Sequence, residues 1–66
     1  MKRVQAKHWG CFQVGDLVEH QGIGMGIVLK LSKYKNPSIY FFEENKIICI
    51  QYGSIDWYHL KILAKK

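Results

Sequence analysis

The sequence predicts an all-β domain, a small barrel of five short strands behind a basic N-terminal extension. Two features of the pattern point there: short apolar or alternating segments, and glycines or polar clusters that interrupt them every few residues. The third is length, because 66 residues hold one minimal core and do not easily build a two-sheet sandwich. Closing a sheet on itself also hides strand edges that invite aggregation.

Leu17-Val18-Glu19-His20 alternates and reads as the first strand. Gln21 to Gly26 carries three glycines at alternate positions, which forbids a stable helix and marks a turn or bulge. Ile27 to Ser32 is apolar and β-branched, and forms the second strand. Asn36-Pro37 initiates a turn within Lys33 to Ser38. Ile39 to Phe42 is the third strand, and Glu43 to Lys46 suits a hairpin loop. Ile47 to Tyr52 is the most β-prone segment, with Cys49 read as a small buried hydrophobe. Gly53-Ser54 then reads as a two-residue turn into a strand over Ile55 to His59, the best hairpin signal in the chain. Leu60 to Leu63 ends the pattern as a short 3₁₀ turn with a final strand. The domain boundary falls at 1–11 for the extension and 12–66 for the barrel.

Two runs carry a family likeness. Val14-Gly15-Asp16-Leu17-Val18, followed by Gly24-x-Gly26-Ile27-Val28-Leu29, resembles the opening of SH3-like barrels of the KOW and Tudor-like type. Trp57 and Leu60-x-x-Leu63 resemble the last strand of Tudor-like domains of DNA repair helicases and transcription-coupled repair factors, and the outline is similar to that of small phage proteins. The likeness spans Phe12 to Leu63 and implies a binding role in contact with nucleic acid or its machinery. In the opening run Gly15, Asp16, Gly24 and Gly26 are structural. Gly15 permits a positive φ, Asp16 accepts backbone N–H groups, and Gly24 and Gly26 permit a sharp bend.

Ten Lys and Arg stand against five Asp and Glu, giving a net charge of +5 that favours a polyanion or an acidic protein surface. The basic residues group at Lys2, Arg3 and Lys7, at Lys30, Lys33 and Lys35, and at Lys61, Lys65 and Lys66. Exposed aromatics beside lysines make stacking platforms, so the candidate contacts are Lys30, Lys33, Tyr34, Lys35, Trp57, Tyr58 and Lys61, with Lys2, Arg3 and Lys7 adding charge. Strand alternation puts either Phe41 or its neighbours Tyr40 and Phe42 outside, and an extended segment cannot turn both Trp57 and Tyr58 inward. The plainer reading packs the outward rings under the N-terminal segment or a loop.

Catalysis finds no support. The glycine run lacks the Lys-Ser/Thr of a phosphate loop and precedes a strand rather than a helix. His8, Cys11, His20, Cys49 and His59 show no ligand spacing beyond a loose His8-x-x-Cys11, so neither a metal nor another cofactor is expected. Without a signal peptide or an apolar run of transmembrane length, a cytoplasmic location with two reduced thiols is expected, in the host cytoplasm or the virion if the source is a phage. Two functions fit. One is a module contacting nucleic acid or transcription and repair machinery. The other is a protein–protein adaptor or virion component that never touches nucleic acid.

Overall fold

A computed structural model describes residues 12–65. The extension 1–11, and with it Lys2, Arg3, Lys7 and the His8/Cys11 pair, lies outside the described residues. The described residues are all-β, with five antiparallel strands in one sheet: β1 (Leu17–His20), β2 (Gly24–Leu31), β3 (Pro37–Phe41), β4 (Lys46–Cys49) and β5 (Leu60–Ala64). A single helical turn, α1 (Ile55–Tyr58), precedes the last strand. The order across the sheet is β4-β3-β2-β1-β5, so the first four strands form a meander and the fifth returns beside the first. Among the described residues no helix is long and apolar enough to cross a membrane.

One face of the sheet holds the core. Alternation sends Pro37, Ile39 and Phe41 of β3 inward and leaves Ser38 and Tyr40 half-buried. Phe12, Val18, Val28, Ile50, Trp57 and Leu60 join Ile39 and Phe41 in one buried cluster. The turn before β1 is fixed by its acid. Asp16 Oδ2 accepts from Gln13 N–H at 2.8 Å and from Lys65 Nζ at 2.9 Å, and the residue is fully buried. Gly15 takes φ 97° there while its N–H donates to Val28 O at 2.8 Å.

The glycine run does two different jobs. Gln21–Ile23 is the turn, and Gly24 and Gly26 already belong to β2. Gly24 needs its hydrogen side chain for φ 107°, whereas Gly26 sits where β3 passes too close for a Cβ.

The expected hairpin of Ile47–Tyr52 with Ile55–His59 does not form. Ser54 caps α1 instead: its Oγ accepts from Trp57 N–H at 3.1 Å, and Asp56 occupies the first turn. Trp57 is the buried residue of this turn, and Leu60 is buried at the start of β5. Ser54→Ala removes this acceptor and should lower stability by about 1 kcal/mol, read as a shift in the urea midpoint. Cys49 is a second correction, because it is exposed. It pairs with Ser38 on the outward face, between inward-facing Ile48 and buried Ile50.

Candidate binding surface

The register gives the sheet two ends. Leu17, Leu31, Pro37, Cys49 and Ala64 mark one; His20, Gly24, Phe41, Lys46 and Leu60 mark the other. The first end carries the β2–β3 loop, and Lys33, Tyr34 and Lys35 lie at its tip, with Lys30 near the end of β2.

Ser32 organises that loop. Its Oγ accepts from the N–H groups of Tyr34 and Asn36, both at 3.1 Å. Its own N–H donates to Asn36 O at 3.0 Å, and its carbonyl accepts from Lys35 N–H at 2.8 Å. Asn36 Oδ1 accepts from Tyr52 N–H at 2.9 Å, tying the loop to the segment after β4. The tip is therefore braced from within and from one side. Lys35 stands in the left-handed region at φ 69°, which costs a residue with a Cβ about 1 kcal/mol. Tyr34 is 73% exposed, with Lys33 Nζ 5.4 Å from its ring centroid. Backbone strain held by a hydrogen-bonded frame beneath an exposed ring and three lysines suits an anionic, stackable ligand.

The other candidates do not gather here. Trp57 is 1% exposed and meets Phe12 edge-on at 6.3 Å, so it belongs to the core and offers no stacking face. The reason is α1, which turns Trp57 inward and leaves its neighbour Tyr58 54% exposed. Lys61, on β5, pairs with Glu19 at 3.8 Å. Tyr58 and Lys61 flank Leu60 and so lie toward the far end of the sheet. Of the three alternating rings, Phe41 is buried and Phe42 is exposed against Tyr40, as the pleat requires.

That far end has a different character. Glu19, Gly24, Met25, Phe42 and Glu43 line an open groove of about 480 Å3. Phe42 N–H donates to Met25 O at 3.0 Å, holding the two apolar residues side by side. Sequence reasoning passed over this groove, since its residues come from three separate segments that only the β1–β2 and β2–β3 pairings unite.

Nearby, His20, Asp56 and His59 bring three ligand-type atoms within 4.8 Å of one another. Gly22 N–H donates to His20 Nδ1 at 2.9 Å, which puts the ring proton on Nε2, facing Asp56 Oδ1 at 3.0 Å. Binding a cation through Nε2 would move that proton to Nδ1, against the Gly22 N–H. Both nitrogens are thus committed to a brace between β1 and α1, and neither remains as a catalytic base. No family model, curated protein or solved structure matches the chain.

Proposed function

We propose that the protein is a non-enzymatic binding module whose β2–β3 tip contacts single-stranded nucleic acid. Tyr34 stacks on an unpaired base, and Lys30, Lys33 and Lys35 neutralise the flanking phosphates. The observation that carries this reading is Lys35 in a left-handed conformation beside an exposed Tyr34. A glycine would relieve that backbone, so a lysine there brings charge to the tip at a cost in stability. The net charge of +5 supports the same partner class. The strand order β4-β3-β2-β1-β5 is in keeping with an SH3-like barrel, the fold the sequence resembles. That likeness adds support for a place on nucleic acid or its processing machinery.

The test is a mobility-shift titration with single- and double-stranded oligonucleotides at two salt concentrations. The double variant Lys33→Glu/Lys35→Glu should bind roughly 100-fold more weakly at low salt, and its slope of log K against log salt should be shallower by more than 1. Lys35→Gly should also bind more weakly while raising the urea midpoint. Wild-type protein that fails to bind either oligonucleotide at low salt removes the proposal.

One observation favours the second reading, a protein adaptor or virion component. The register aligns Leu17, Ile27, Tyr40 and Ile47 in a single row across four strands of the outward face, and Ile47 is 61% exposed.

A further inference from the structure

The basic tip and the acidic groove stand at opposite ends of β2. Seven residue steps separate Gly24 from Leu31, roughly 23 Å at the usual rise of a strand. One copy therefore cannot bring its own tip into its own groove. The chemistry of the two surfaces nevertheless matches part for part. The tip presents Lys33 and Lys35 on either side of Tyr34, and Tyr34 is 73% exposed. The groove presents Glu19 and Glu43 around an apolar floor of Met25 and Phe42, 42% and 45% exposed.

We propose that the Lys33-Tyr34-Lys35 tip of one copy docks in the Glu19/Met25/Phe42/Glu43 groove of the next, so that copies associate head to tail. Tyr34 covers Met25 and Phe42, and the two lysines meet the two carboxylates. Gly24 contributes no side chain to the groove, and a Cβ there would come within 3.3 Å of Glu43 Oε1. Glu19 can change partners, because its contact with Lys61 is long at 3.8 Å and its own side chain is 46% exposed.

Such a contact joins two different surfaces, so each new copy leaves one tip and one groove unfilled, and assembly continues into a ring or a filament. The net charge of +5 on every copy opposes it. At about 0.1 M salt the Debye length is about 10 Å, which screens repulsion between whole domains but leaves ion pairs in contact. At about 1 M salt the contact pairs weaken as well.

This inference shares the tip with the nucleic-acid reading but depends on the groove, so the two fail separately. Sedimentation velocity at millimolar protein and about 0.1 M salt should show wild-type mass rising with concentration beyond two copies, and falling back at about 1 M salt. Glu43→Lys spoils only the groove, and the uncharged tip variant Lys33→Ala/Lys35→Ala spoils only the tip and offers nothing to a lysine in the groove. Each variant alone should associate at least about tenfold more weakly. Their equimolar mixture supplies one good tip and one good groove, so it should stop at a one-to-one pair. Glu43→Lys keeps its tip, and on the nucleic-acid reading it still shifts the oligonucleotide. A wild type that stays monomeric overturns the inference, whether or not removal of residues 2–11 then releases assembly. So does a symmetric dimer indifferent to Glu43→Lys, or a mixture that forms no pair.

Discussion

Gly26→Val is expected to destabilise the domain by about 3 kcal/mol, a third or more of its stability. A Cβ at this position would stand 2.6 Å from Tyr40 O, 2.7 Å from Ile39 Cγ2 and 3.0 Å from Phe41 Cδ1. The nearest of these is backbone, held in the β2–β3 ladder, and the other two belong to buried core side chains. None can retreat without opening the sheet where Gly26 faces Phe41. Overpacking of a tight interior costs about 3 kcal/mol at the upper end of the usual range. A 66-residue domain has roughly 3–10 kcal/mol to lose at ordinary stability per residue. Far-UV circular dichroism and a urea titration decide the matter, and a valine variant with the wild-type midpoint would mean that β2 and β3 do not approach this closely.

Trp57→Ala should be comparably severe. Trp57 is among the largest fully buried side chains and sits at the meeting point of three rings. Phe12 lies 6.3 Å away, Tyr52 4.7 Å and Tyr58 5.3 Å, all edge-on. Truncating a buried aromatic to alanine costs about 3–5 kcal/mol, and each lost ring contact adds to the area term. The same substitution separates two roles for this residue. A stacking platform would lose ligand affinity and keep its fold, whereas a core residue loses the fold first. Retention of a cooperative urea transition within about 1 kcal/mol of wild type would falsify the core placement.

The contrast between Trp57 and Tyr34 shows how far the sequence could be read. Period-two alternation and turn chemistry located β1 and β3 within two residues, because those signals are local. They also identified Lys33, Tyr34 and Lys35 as loop residues, although the turn closes on Ser32 and Lys35 and the expected turn-former Pro37 already opens β3. They failed at Ile55–Tyr58, where β-prone side chains hid a serine cap and the single inward-facing ring of Trp57. Propensity there yielded to the capping bond and to burial of one large ring. The role of Gly26 depends on which atoms of β3 lie opposite, and Cys49 on which face its strand turns outward. Neither is written in neighbouring residues. The groove was hidden for the same reason, because Glu19, Met25 and Glu43 become neighbours only once the strands pair.

The return of β5 to the side of β1 also has a kinetic consequence. The meander joins segments that follow one another closely, whereas Leu17–His20 meets Leu60–Ala64 across most of the chain. Closing that long loop is the entropically slowest step of the topology, and no hairpin can substitute for it. Until β5 has left the ribosome, β1 presents a raw hydrogen-bonding margin to whatever strand comes near. A nascent chain of this design is therefore safest when β5 follows β1 out of the ribosome quickly.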